Sequence, residues 1–297
     1  MSALAVVTGT THGIGRVTSI ELARAGYDVV MLCRDVEAAT ILRDRITEMS
    51  PGTAIHALPC DLSSLASVRE CGRMLRSAFD RIALLVNNAG IVSQWHRMSP
   101  DGYELTFATN HLGPFLLTQL LLDRMTPRGR IINVASRVHY RGRLDLERVP
   151  DPKARYRAIA AYAQSKLANV LFTFALARRL AGSGITTNCL HPGVVATHLL
   201  PAWLRLLKPL ISRPIFDAER GARTSLYLAL SSEVANMSGC YFDEHQQVQA
   251  AAALANDTAL QESLWSASER WTHGPTVHPV ASPAARPSRT AGPTPVS

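Results

Sequence analysis

Lysine is almost missing from this chain. Lys153, Lys166 and Lys208 are its three lysines, against twenty-eight arginines, so a lysine at a given position is not background. Paired cysteines are missing too. Cys33, Cys60, Cys71, Cys189 and Cys240 include no C-x-x-C, which argues against a zinc site or disulfide framework and for a reducing compartment. The net charge of +8 is scattered. With no run of five or six basic residues and no basic stretch interleaved with aromatics, nucleic acid is not an expected partner. No stretch reaches the roughly eighteen apolar residues of a membrane span. The opening run Ala3-Leu4-Ala5-Val6-Val7 is too short for a signal peptide, and a glycine-rich turn follows at once. A cytoplasmic, soluble protein is the expectation, with no metal.

Against that background one of the rare lysines stands out. Tyr162 and Lys166 lie four residues apart in Tyr162-Ala163-Gln164-Ser165-Lys166. The spacing of apolar residues over Ala158–Leu180, with no Gly or Pro, predicts a helix. Positions four apart share a helix face, so the phenol and the ammonium can meet. A tyrosine ionises at about 10, and a neighbouring cation favours its phenolate. Such a pair makes a general acid/base. Tyr140 and Tyr156 have Leu144 and Ala160 at the same offset, so neither has the cation.

Short β-type runs alternate with helical stretches. Strands are expected at Leu4–Thr8, Asp28–Cys33, Ala54–Leu58, Ala83–Asn87, Arg130–Val134, Ile185–Leu190 and Cys240–Phe242. Helices are expected at Ile14–Ala25, Val36–Glu48, Leu65–Phe79, Pro100–Met125, Ala158–Leu180 and Ala218–Leu230. Apolar strands separated by helices imply a seven-stranded parallel sheet covered on both faces. Right-handed crossovers make this α/β pattern doubly wound, with ligands beyond the carboxyl ends of the strands. One domain over residues 1–271 is expected. The arginine-rich loop Arg137–Arg157 is long enough to suggest a role in the site. The Pro/Ala/Ser/Thr-rich stretch Thr272–Ser297 reads as a disordered tail.

The first strand runs directly into Thr8-Gly9-Thr10-Thr11-His12-Gly13-Ile14-Gly15. Glycines there permit a tight turn and a close approach to a pyrophosphate facing a helix N-terminus. The end of the second strand bears on the cofactor. An NAD site wants an acid there and an NADP site a cation. Here Cys33 stands where the acid would be and Arg34 follows, with Asp35 placed to cap the next helix; His12 and Arg16 could add donors. NADP(H) is the expected cofactor.

Gly9-x-x-x-Gly13-Ile14-Gly15, Asn87-Asn88-Ala89-Gly90, Ser136, Tyr162-x-x-x-Lys166 and Pro192-Gly193 occur in that order. Together they resemble the short-chain dehydrogenase/reductase family, from about Ala3 to Trp271. Asn110-His111-Leu112-Gly113-Pro114-Phe115-Leu116-Leu117-Thr118, Cys33-Arg34-Asp35 and Ser165-Lys166-Leu167-Ala168-Asn169 resemble its retinol dehydrogenase branch, as does the long spacing from Ser136 to Tyr162. The resemblance implies a Rossmann fold and an alcohol/carbonyl oxidoreductase. It implies that Tyr162 moves the proton, Lys166 lowers its pKa and bonds the nicotinamide ribose, Ser136 holds the substrate oxygen, and Asn110 anchors a water. Gly9, Thr11, His12, Gly13, Ile14, Gly15, Arg34, Asp61, Leu62, Asn88, Ala89 and Gly90 would bind cofactor, as would Pro192, Gly193, Val195 and Thr197. Asp61 could instead cap the helix starting near Ser64. His139 and His191 match no catalytic cluster. The branch often begins with a membrane anchor and this chain begins at its first strand, which puts a retinoid substrate and membrane residence in question.

Downstream of Pro192-Gly193, about 197–217, runs an apolar, proline-broken segment containing Trp203, Leu204, Leu207 and Leu210. It is expected to be a lid for an apolar aldehyde, ketone or alcohol. A weak membrane-surface contact or a subunit contact are the other readings of it. A non-catalytic NADP-binding redox sensor is the alternative function, although such a protein would have no need of the Tyr–Lys pair.

Overall fold

The computed structural model describes residues 2–151, 155–193 and 217–273. Eight strands form one sheet in the order β3-β2-β1-β4-β5-β6-β7-β8. They are β1 (Leu4–Thr8), β2 (Asp28–Cys33), β3 (Ile55–Pro59), β4 (Ile82–Asn87), β5 (Met125–Val134), β6 (Thr186–Leu190), β7 (Tyr241–Phe242) and β8 (Val248–Gln249). The first seven run parallel, as expected, and β8 adds an antiparallel edge, pairing Phe242 with Val248. Both residues of β8 are exposed, so no apolar pattern marks it in the sequence.

Helices cover both faces. On one side α1 (Gly13–Arg24), α2 (Val36–Met49) and α6 (Ala218–Leu230) pack Leu22, Leu42, Ile46 and Leu228 against Val7, Met31 and Val86. On the other lie α3 (Leu65–Ala78), α4 (Leu105–Leu121, through a π-helical turn), α5 (Ala158–Arg179) and α7 (Thr258–His273), which contribute Leu75, Phe115, Leu171 and Trp265 to a larger core. Burial on both faces explains why the central strands are continuously apolar rather than alternating.

The largest boundary shifts relative to the sequence reading fall at α4 and β5. Helix α4 starts at Leu105 rather than Pro100, because the buried Glu104 carboxylate accepts from the Thr106 and Phe107 amides and sets the first turn there. It continues as a π-helical turn, Ala108–Leu112, then as Gly113–Leu121, and gives way to a 3₁₀ turn before β5. Strand β5 begins at Met125, five residues early, with a register shift between Ile82 and Leu84 on its neighbour. Among the described residues no helix is long and apolar enough to cross a membrane. The expected lid at 197–217 lies outside the described residues up to Asp217, as does the expected tail beyond His273.

Candidate active site

The glycine-rich turn is held by its neighbours before any ligand arrives. Gly9 has φ +70° and donates its amide to Leu32 at 2.9 Å, and Gly13, with φ +57°, opens α1. Residues with side chains seldom adopt such angles. A Cβ on Gly15 would collide with the Gly9 carbonyl oxygen and the Asn88 side-chain amide. That amide donates to the Thr8 carbonyl at 2.8 Å and to Gly9 at 3.3 Å, while the Asn88 and Ala89 amides both donate to the Thr8 hydroxyl at 3.0 Å. The turn and the end of β4 are thus riveted together.

This cradle fits an anion. The N-cap of α1 is His12, which makes no side-chain capping bond, and the first turn holds no acid. The helix amides and dipole are therefore open to a negative group. Thr10 is fully buried, and its hydroxyl has no partner, which leaves a polar atom for a ligand to satisfy. Thr11 and His12 hydrogen-bond each other at 2.8 Å beside it.

At the end of β2, Cys33 is buried and Asp35 is committed as the cap of α2, accepting from the Ala38 amide at 2.9 Å. Arg34 is exposed and forms no ion pair with any described residue, and the same holds for Arg16. Asp61 does not cap α3. Ser64 does, accepting from Ser67, while Asp61 accepts from the amide and hydroxyl of Ser63 in a tight turn. Leu62 is buried against Gly113, where a Cβ would meet the Leu62 carbonyl. Asn88, Ala89 and Gly90 follow β4 at its carboxyl end; a Cβ on Gly90 would lie 3.3 Å from the Lys166 Nζ and 3.4 Å from the Asn110 Oδ1. Pro192 and Gly193 follow β6, Gly193 with φ +84°. Val195 and Thr197 lie outside the described residues.

Tyr162, Ser136, Lys166 and Asn110 converge beside Gly90. Ser136 follows β5, and its hydroxyl accepts from the Val138 amide at 3.3 Å and stands close enough to Tyr162 to favour its phenolate. Lys166 is buried, its Nζ 5.7 Å from the Tyr162 ring centroid and donating to the Val134 carbonyl at 2.7 Å. The electrostatics differ from the helix-face argument. Burial pushes the Tyr162 phenol up to about 12, with the Ser136 hydrogen bond opposing, and burial brings Lys166 down to about 8. Desolvation disfavours both charged forms. Without a ligand the pair is a neutral phenol beside a weakly held ammonium.

Asn110 sits in the π-helical turn, fully buried. Its Oδ1 accepts from the Ile91 amide at 2.7 Å, and its Nδ2 donates to the Ile91 carbonyl and the Ser165 hydroxyl, each at 3.0 Å. Both amide hydrogens are spent on protein, so its side chain fixes the segment after Gly90. His139 is likewise spent, bonded through both ring nitrogens, and His191 is buried and held down to about 4 by burial. Three contributors escaped the sequence reading. They are the Thr8 hydroxyl, the Ser165 hydroxyl (which also donates to the Tyr162 carbonyl at 2.8 Å), and a buried relay from Asn87 to Asn133 to Thr173. Ser165 lies inside the Tyr–Lys motif and was within reach. The others carry no local signal. Among the described residues no cluster of His, Cys, Asp or Glu could hold a metal ion.

Comparison with known proteins agrees with this geometry. Residues 3–205 match the short chain dehydrogenase family. Human retinol dehydrogenase 13 is 40% identical over 275 residues, covering 89% of this chain and 83% of that protein. The bovine dehydrogenase/reductase SDR family member 13 is also 40% identical, over 90% of this chain and 72% of that one. Among solved structures, a putative uncharacterised protein from Mycobacterium paratuberculosis superposes with a TM-score of 0.76 at 32% identity, covering 93% of this chain and 95% of that one. A blue fluorescent protein from a metagenomic library, solved in complex with NADPH, gives 0.67 at 27% identity, over 81% and 95%. The chain belongs to the short-chain dehydrogenase/reductase family, as a retinol dehydrogenase-like oxidoreductase that works on alcohols and carbonyls with a nicotinamide cofactor.

Proposed function

We propose that the protein is NADP(H)-dependent and interconverts an apolar aldehyde or ketone with its alcohol, using Tyr162 as proton donor and acceptor. The convergence of Tyr162, Ser136 and Lys166 next to the glycine cradle carries the reading. The bound nicotinamide would give or take the hydride. The chain's own residues do the rest. The Ser136 hydroxyl, an acceptor toward Val138, keeps its hydrogen for Tyr162 and the substrate oxygen. The Tyr162 phenol, neutral at pH 7, supplies the proton as a carbonyl becomes an alcohol. Lys166 keeps an ammonium within reach of the ring and would hold the nicotinamide ribose. Asn110 holds the backbone of Ile91 in place on the near side.

NADP rather than NAD is supported by Arg34, which pairs with no described residue, after a buried Cys33, and by Asp35 being occupied as a helix cap. Relatives named for retinol, an apolar alcohol, support an apolar substrate, as do Trp203, Leu204, Leu207 and Leu210 in the segment after Pro192-Gly193. Five free cysteines support a cytoplasmic setting.

The test is NADPH and NADH oxidation against a panel of aldehydes and ketones including retinal, steroids and aromatic ketones. Tyr162→Phe is expected to lower turnover about 10²–10⁴-fold with little change in NADPH affinity. Arg34→Asp is expected to move preference toward NAD through the Michaelis constants. Tight NADPH binding with no turnover on any substrate would replace this reading with the sensor.

A further inference from the structure

The turn that follows Ser136 is tied to the segment after β7 at three points. Arg137 pairs with Glu244 at 2.8 Å, His139 accepts from the Ala252 amide at 3.1 Å, and the Tyr140 hydroxyl donates to the Ala250 carbonyl at 2.5 Å. Only one of the three side chains also reaches Ser136 itself. The His139 Nδ1 lies 2.7 Å from the Ser136 carbonyl, on a ring with no solvent exposure.

The partners settle the ring's protonation. A carbonyl oxygen can only accept, so Nδ1 carries the hydrogen; a backbone amide can only donate, so Nε2 keeps its lone pair. A protonated ring would set its Nε2 hydrogen against that of Ala252. The Ser136 carbonyl favours an imidazolium, but burial outweighs it. Tyr140 on the same turn packs at 4.1 Å between ring centroids and Tyr241 of β7 at 4.6 Å, and His191 at the end of β6 lies near enough to interact. Around His191 stand Asp243 and the Arg137–Glu244 pair, with Glu244 already engaged by Arg137. Burial lowers the His139 pKa from its ordinary value.

We propose that His139 is the positioning residue for Ser136: held in one neutral tautomer between the Ser136 carbonyl and the Ala252 amide, it fixes the turn that aims the Ser136 hydroxyl at Tyr162 and the substrate oxygen. The proposal rests on the reading of Ser136 given above. Loss of the tie frees the turn rather than removing a reacting group, so it lowers turnover and leaves cofactor binding alone. Misplacement on the scale of an ångström costs up to about 100-fold.

Four variants test it, namely His139→Leu, His139→Asn, Ser136→Ala and the Leu/Ala double variant, with NADPH binding followed by fluorescence. His139→Leu is expected to lower kcat about 10- to 100-fold with the NADPH Kd unchanged. His139→Asn, which can still donate to the Ser136 carbonyl, recovers most of kcat and loses the acid limb of the pH profile. In the Ser136→Ala background His139→Leu is expected to have no further effect, because the two act as one unit. Equal losses in both backgrounds, or a fall in kcat matched by a fall in NADPH affinity, would overturn the proposal. Where His139→Leu does not fold, the Asn variant and its pH profile decide. Imidazole ¹⁵N shifts of the wild type give a readout independent of turnover. A ring that is Nε2–H or doubly protonated at pH 7 overturns the tautomer claim by itself. A wild type with the Nδ1–H ring that turns over no substrate overturns the function, and the role of Ser136 with it.

Discussion

The scarcity of lysine makes the central ionisation of this site directly measurable. Lys166 is 3% exposed, its Nζ donates to a carbonyl, and burial is the sole cause of its shift. An ammonium moved into such a site loses hydration that one carbonyl only partly replaces. The fall from 10.5 to about 8 means that the ammonium costs about 3 kcal/mol more, relative to the amine, in this site than in water. Between those two pH values the folded chain binds fewer protons at Lys166 than the unfolded chain, so this group makes stability rise with pH across that window. Tyr162 acts in the opposite sense between 10 and about 12, where the folded state keeps a proton that the unfolded state has lost. The assay is NMR of protein carrying ¹³C at lysine Cε, titrated without cofactor from pH 6 to 11. Three lysines give three signals, and Lys166→Met assigns the one of interest. Its midpoint is expected near 8, well below the roughly 10.4 of a solvated lysine. If all three titrate together near 10.4, water or a carboxylate reaches Nζ and the desolvation argument fails.

Two further outcomes follow from packing and burial. Gly15→Ala places a methyl against the Gly9 carbonyl and the Asn88 amide, and overpacking of this kind costs about 1–3 kcal/mol; since tenfold is about 1.4 kcal/mol, NADPH titration is expected to show a Kd about 5- to 150-fold weaker, and an unchanged Kd would show that the turn can yield. His111, His139 and His191 are buried with pKa values lowered by desolvation, to about 3 for His111 and about 4 for His191. Below the ordinary 6.5 the unfolded state takes up protons that the folded state refuses, so each costs about 1.4 kcal/mol per pH unit. The Tm is therefore expected to drop steeply from pH 6.5 toward 5, more so than in His191→Asn; parallel curves would place water beside that ring.

The sequence carried the parts of the fold that are encoded locally. Val6, Val7, Val30 and Met31 are buried in continuous apolar strands, and the glycine turn and Tyr162-x-x-x-Lys166 sit where a strand ends or a helix begins. What escaped depends on contacts distant in the chain. The π-helical turn at Asn110 is set by bonds to Ile91 and Ser165, nineteen and fifty-five residues away, and no helix propensity marks it. The relay through Asn87, Asn133 and Thr173 looks in the sequence like polar residues interrupting strands and a helix, and only folding shows that they satisfy one another. The pKa of Tyr162 is the sharpest case. A spacing of four residues reports the attraction of a cation for a phenolate, whereas the folded surroundings decide how much water remains, and desolvation wins.

Asn88 and Asn110 show how motif and mechanism divide. The resemblance places Asn88 along the cofactor and Asn110 beside a water, and their side-chain amides also donate to backbone: Asn88 to Thr8 and Gly9, Asn110 to Ile91. Each joins the loop after β4 to a different neighbour, the glycine turn on one side and the π-helical turn on the other. The Thr8, Gly9 and Ile91 carbonyls gain partners in this way, and a group left unpaired out of water costs about 1–3 kcal/mol. Cofactor and substrate would then meet backbone and glycine surfaces already fixed in place. Their binding energy would not be spent on ordering the cradle.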